Sequence, residues 1–149
     1  MTWDEIRELK SQGVQFGSHT VTHPQLKDMT PEEVKYELEM SKAHLEEQLG
    51  EPINAFCYPY AFPEEDVDFT QNLREIMLNA GYSYATGTRI GTLKKGDDPY
   101  FIKRIPMNSY DDVMLLEAKL GEGYDWLYFI QLAYKKLRFC RVKIGQSQP

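Results

Sequence analysis

Two of the three histidines in this 149-residue chain stand four residues apart, in "FGSHTVTHPQL" at residues 16–26. Side chains at i and i+4 face the same way on a helical turn, so the imidazoles of His19 and His23 can close on one metal ion. Thr20, Val21 and Thr22 are all β-branched and Pro24 steers His23 away from helical backbone, so a single turn after a strand is expected, not a long helix. Ser18 or Thr20 could hold an imidazole tautomer from outside the ligand pair. The plainer reading is a pair of polar loop histidines with no ligand. Spacing alone does not separate the two, because any HxxxH is a weak pattern.

Other candidate chemistry is thinner. Asp97 and Asp98 lie in "KKGDDPY", a turn composition. Asp4 sits at the start of a helix, where it complements the helix dipole. Cys57 and Cys140 are far apart and form no CxxC pair, which argues against a disulfide framework or a thiolate zinc site and for buried thiols. His44 falls within a helical stripe and reads as a surface imidazole. There is no glycine-rich phosphate loop, internal repeat or low-complexity segment.

The elements that must position the pair follow from caps and periodicity. Thr2 with Glu5 makes a capping box ahead of an apolar face of Trp3, Ile6 and Leu9, stopped at Gly13. Residues 14–17, "VQFG", read as a strand feeding the histidine segment. Thr30, Pro31 and Glu33 then open a helix whose stripe of Val34, Leu38, Leu45 and Leu49 ends at Gly50. "INAFCY" (residues 53–58) is a strand, and "PYAFPEED" a proline-punctuated loop. A helix through Leu73, Ile76, Met77 and Ala80 stops at Gly81. "YSYAT" and "YFIKRI" (residues 100–105) supply further strands. Ser109 with Asp112 caps a last helical region, broken at Gly121 and Gly123 and restarting to about Arg138. Strands alternating with such helices predict an α/β fold of about four parallel strands, with the site at their carboxyl ends. Both the loop of residues 18–24 and that of residues 58–63 emerge there.

Composition bounds the partners. The length suits one folding unit. No apolar run reaches the roughly 18 residues of a membrane span. "MTWDEIRELK" lacks the marks of a secretory signal, so the expectation is cytoplasmic, subject to the true start of the protein. The net charge is −6, yet residues 132–149 carry Lys135, Lys136, Arg138, Arg141 and Lys143 and no acid, leaving −11 on the rest. Such a body repels nucleic acid. The basic end, beside "YDWLYFIQLAY", could touch an anionic membrane surface or an acidic glycan, though a solvated tail is the commoner outcome.

"GVQFGSHTVTHPQL", a capped helix ending "LEEQLGEPI" and then "AFCYPYAFP" together resemble the polysaccharide deacetylases with NodB homology, carbohydrate esterase family 4. "GYSYATGT" and "IKRIPMNSYDD" look like the family's later strands, so the resemblance covers residues 2–112. It implies a partial (β/α) barrel over residues 1–112, with residues 113–149 a helical extension of the same folding unit. It also implies metal-dependent removal of N-acetyl or O-acetyl groups from a carbohydrate. By resemblance His19 and His23 are ligands of a divalent metal, zinc in most members, with Thr20 at the motif's Ser/Thr position. Tyr58, Pro59 and Tyr60 match the substrate-binding motif after the next strand, and the Tyr60 backbone N–H is the oxyanion donor. Tyr58, Tyr60, Phe62 and Tyr84 are candidates to stack on sugar rings, with Tyr58 or Phe62 going to the core.

The match is incomplete. Such hydrolysis needs a metal, a carboxylate base, oxyanion donors and an acid. The family's Asp-Asp motif, which supplies the base and a third ligand, has no counterpart in the eighteen residues before His19. No histidine follows His44 to act as acid. Cys57 replaces the arginine that pairs with the base, and Arg104 is a weak substitute. The expectations are therefore a weak two-ligand site of low metal occupancy and little turnover by the chain alone. Two explanations stand: part of a fuller deacetylase, which a start immediately before a clean helix favours, or a short relative that has lost catalysis. Four strands cannot close a barrel, so homo-oligomerisation is expected to cover the open edge. The competing readings are a non-catalytic glycan-binding or assembly module and an unrelated α/β protein with incidental histidines.

Overall fold

In a computed structural model of the chain, which describes residues 1–134, the helices start and stop where cap chemistry puts them. Helix α1 (Trp3–Ser11) opens on a capping box: the Thr2 hydroxyl accepts from the Glu5 N–H, and the Glu5 carboxylate accepts from the Thr2 N–H. Helix α2 (Pro31–Leu49) repeats the device with Thr30 and Glu33 and ends at Gly50, whose φ of 66° is left-handed backbone that glycine adopts without strain. Helix α3 (Val67–Asn79) is capped by the Asp66 carboxylate. Helix α4 (Val113–Leu120) departs from the expected Ser109–Asp112 box. Asp112 itself accepts from the Leu115 N–H at 2.7 Å, and Ser109 lies in the turn before it. A carboxylate is the stronger acceptor for an orphan amide at a helix start.

Strands β1 (Ala55–Cys57), β2 (Tyr84–Ile90) and β3 (Ile102–Arg104) form a sheet in that order. β1 and β2 run parallel, with Phe56 opposite Ala85. The fold is thus α/β with a parallel sheet and flanking helices, but among the described residues three strands stand where about four were expected. Residues 14–17 make no ladder. The one bridge to β1 falls on the next residue, Ser18 opposite Phe56, in parallel sense. The Ser18 N–H donates to Ala55 O, and the Cys57 N–H to Ser18 O, both at 2.9 Å. The chain turns left-handed two residues later, at Thr20 with φ 68°, before a ladder can extend. The expected strand at residues 100–105 is shortened for a different reason. Pro99 and the Asp98 carboxylate, which accepts from the Tyr100 N–H at 3.0 Å, close a 3-10 turn (Pro99–Phe101) first.

The chain divides into two units, Met1–Gly87 with Asp98–Ile102, and Thr88–Asp97 with the residues from Lys103 onward. The first holds the main core: Val34, Leu38, Ile53, Phe56, Tyr58, Leu73, Met77 and Ala85 are buried, and α2 packs on α3. Tyr58 is at its centre, its ring 5.2 Å from Phe56, 4.8 Å from Phe62 and 6.0 Å from Phe101 by centroids. In the second unit the Gln131 side-chain amide donates to Thr88 O at 2.7 Å and accepts from the Ile90 N–H at 3.1 Å, as a neighbouring strand would. Lys119 is buried there against the Asp111 carboxylate, at 2.5 Å, and the Pro106 carbonyl. Residues 127–134 are helical. The remainder of the expected last helix, Cys140 and the basic residues from Lys135 to Lys143 lie outside the described residues.

Candidate metal centre

The single bridge at Ser18 sets the start of the histidine loop. Ser18 is fully buried against β1, so His19 is the first residue to leave the sheet at its carboxyl end. The rings of His19 and His23 lie 4.9 Å apart, centroid to centroid, at 71°. Both residues are exposed, so an ion can reach them from solvent.

The tautomer of His19 follows from its partner. Nδ1 lies 2.7 Å from the Cys57 carbonyl oxygen. A carbonyl only accepts, so Nδ1 carries the hydrogen, and the neutral ring keeps its lone pair on Nε2. That is how a metal-ligating histidine is usually prepared. The acceptor that fixes the imidazole is therefore the backbone carbonyl of Cys57, not the side chain of Ser18 or Thr20. Ser18 Oγ shares a hydrogen bond of 2.5 Å with Ser41 Oγ. The Thr20 hydroxyl is turned to backbone, contacting the His19 carbonyl and accepting from the His23 N–H at 3.1 Å.

The loop after β1 supplies the second wall. The exposed Tyr60 ring packs edge-on against His23 at 4.9 Å. Among the described residues none accepts a hydrogen bond from the Tyr60 N–H, the expected oxyanion donor. Pro59 is half-buried between them in sequence. Tyr58 does not join this surface and is a correction to its expected place against substrate. Its side chain is fully buried, its hydroxyl donates to the Tyr100 carbonyl at 3.0 Å, and burial drives its pKa far above the usual phenol value. The cause is strand alternation: Phe56 and Tyr58 are both buried, whereas Cys57 between them is half-exposed. Phe62 is also core, so Tyr60 and Tyr84 are the two of the four aromatic candidates that solvent reaches.

The other candidates are engaged elsewhere. Asp97 accepts from the Lys94 N–H and from Lys103 Nζ, both at 2.8 Å, and the Lys103 hydrogen bond above all holds it below the usual carboxylate range. Asp98 caps the 3-10 turn and pairs with Arg74. Asp4 pairs with Arg7 at 2.7 Å on α1, and His44 is exposed on α2. Among the described residues no cluster of three or more His, Cys, Asp or Glu side chains could hold a metal ion. Two exposed imidazoles with rings 4.9 Å apart, one of them with its Nδ1 committed to a carbonyl, fit two positions of a divalent-metal ligand set.

Glu37 is the residue sequence reasoning missed. Its carboxylate is buried under the loop, with Oε2 accepting from the Val21 N–H at 2.6 Å and the Thr22 N–H at 2.9 Å, and Oε1 from the Thr22 hydroxyl at 2.6 Å. A signal was present. Glu37 and Ser41 are polar residues set at helical spacing within the apolar stripe of α2, beside Val34 and Leu38.

The model of the polysaccharide deacetylase family matches residues 1–85, a stretch containing both loops. No curated protein matches the chain in sequence. Among solved structures, the chain is similar to the deacetylase PplD of Streptococcus pyogenes in complex with acetate, at 23% identity and a TM-score of 0.71, covering 80% of this chain and 50% of that one. It is similar to a polysaccharide deacetylase from Bacillus cereus, at 26% identity and a TM-score of 0.67, covering 80% and 36%. It is also similar to IcaB from Ammonifex degensii, at 25% identity and a TM-score of 0.65, covering 80% and 52%. The chain spans about half or less of the length of these structures, and its α/β fold corresponds to part of their (β/α) barrel. With the family model covering more than half of its residues, the chain belongs to the polysaccharide deacetylase family.

Proposed function

We propose that this chain carries the histidine half of the metal site of a carbohydrate deacetylase and binds a divalent cation, zinc first, through Nε2 of His19 together with the His23 imidazole. The observation that carries the reading is the 2.7 Å contact between His19 Nδ1 and the Cys57 carbonyl, which leaves the lone pair of the neutral ring on Nε2, with the second ring 4.9 Å away by centroids. A cation bound there would polarise the acetyl carbonyl and raise the acidity of water. The chain's own residues orient the site: Cys57 O sets one imidazole, Tyr60 walls the other, and the Tyr60 N–H is a donor for charge developing on the acetyl oxygen. The substrate class is a carbohydrate bearing N-acetyl or O-acetyl groups, with Tyr60 and Tyr84 as the ring-stacking candidates.

Among the described residues no third His, Cys, Asp or Glu side chain joins the pair, which supports weak metal binding and little turnover by the chain alone. Isothermal titration with zinc, and acetate release from a chitooligosaccharide or an acetylated xylan with zinc or cobalt added, test both halves. The expected result is weak uptake that His19→Ala abolishes, falling as pH drops because both imidazoles must be neutral, with little acetate formed. Uptake equal in wild type and His19→Ala refutes the site. Robust acetate release by the isolated chain refutes the incompleteness.

A further inference from the structure

We infer that Glu37 of α2 is a positioning residue for the histidine pair, clamping the backbone between His19 and His23 so that the two rings converge; the inference rests on their reading as metal ligands. Two of the residues from His19 to His23 hold left-handed backbone that non-glycine residues rarely adopt, Thr20 at φ 68° and His23 at φ 57°. Such conformations persist only where the surroundings over-determine them. Between them lie Val21 and Thr22, and theirs are the two amides that the Glu37 carboxylate binds. The Thr22 hydroxyl completes the set on the other carboxylate oxygen. One turn further along α2, Ser41 Oγ holds Ser18 Oγ, so a single helix face grips the residue before each histidine.

The carboxylate's own partners exclude other roles for it. Both oxygens are occupied by loop donors, and the side chain is buried, so Glu37 is neither a ligand to an ion at the exposed rings nor a base facing solvent. An amide in its place presents one oxygen and an NH2 group, and the NH2 cannot accept from the loop. Hydrogen bonds to a charged acceptor are also the stronger ones.

The test compares the whole chain with Glu37→Gln and, as a milder variant from the loop side, Thr22→Val. Amide exchange by NMR reads the clamp without metal, and zinc titration reads its consequence. In Glu37→Gln, exchange at Val21 and Thr22 should rise about tenfold or more while the Tyr58 and Tyr82 amides, bonded within the core, keep wild-type rates. Zinc affinity should fall by about 10- to 100-fold, the usual effect of losing a partner that orients ligands. Thr22→Val should lie between, and it carries the same readouts if Glu37→Gln does not fold. Unchanged exchange at Val21 and Thr22 overturns the clamp. So does raised exchange with unchanged zinc affinity. A wild-type chain that takes up no zinc refutes the metal reading instead, and the exchange rates then decide the clamp by themselves.

Discussion

His19 depends on a backbone oxygen, and that has a consequence at the residue scale. Because the Cys57 carbonyl and not its side chain sets the imidazole, the side chain at position 57 can change without disturbing the tautomer. Glu37 is the more exposed to substitution and to acid. Burial pushes its carboxyl up, but hydrogen bonds from Thr22 and Val21 outweigh burial and hold it below the ordinary value of 4.5. A carboxylate whose folded pKa is depressed contributes stability that is present above its unfolded pKa and lost as pH falls through the folded one. Protection of the Val21 and Thr22 amides should therefore persist down to about pH 4.5 and be lost below it. Exchange measured across that range in metal-free protein checks the sign. Protection that weakens on raising the pH from 5 to 7 contradicts it.

At the scale of elements, the site hangs on how close the segment before His19 comes to β1. Gly17 makes that approach possible: a Cβ there would meet the Ala55 Cβ and the Ala55 carbonyl oxygen, each at 3.1 Å. Neither neighbour is a flexible side-chain end, so Gly17→Ala must push the segment away from the strand. The expected cost is about 1 to 3 kcal/mol, typical of overpacking, read by urea unfolding. The Ser18–Ala55 and Cys57–Ser18 hydrogen bonds should weaken with it, and with them the His19–Cys57 contact, so zinc affinity should fall as well. Wild-type stability in Gly17→Ala would mean that the bridge does not set the loop.

At the scale of the whole molecule, the apolar residues fall into two kinds. Those of the main core in the first unit are buried around Tyr58, whereas Val113, Met114 and Leu120 of α4, with Trp126, Phe129, Ile130 and Tyr134, face solvent. Positions 126, 129, 130 and 134 share one face at helical spacing. A contiguous exposed apolar stripe marks an association surface. The chain should therefore self-associate as its concentration rises, and Phe129→Asp should shift sedimentation toward monomer. A monomer at every concentration contradicts this. No helix among the described residues is long and apolar enough to cross a membrane.

Much of this protein was legible in residue types alone. The capping boxes at Thr2 and Thr30, the glycine stop at Gly50 and the paired histidines are local patterns, decided by neighbours within four residues, and the structure has them where the sequence puts them. Strand number and length were not legible, because a ladder needs a partner from elsewhere in the chain. The run at residues 14–17 has strand composition but pairs with no strand, and the one bridge to β1 comes from Ser18, the residue after it. Nor could the sequence sort Tyr58 from Tyr60, two residues apart just beyond β1, since what separates them is the packing of Tyr58 against Phe56, Phe62 and Phe101. Glu37 marks the boundary most clearly. Its place in the apolar stripe of α2 was visible at the level of periodicity, but its partners lie 15 and 16 residues away, and only tertiary packing brings a buried carboxylate under the loop that carries the histidines.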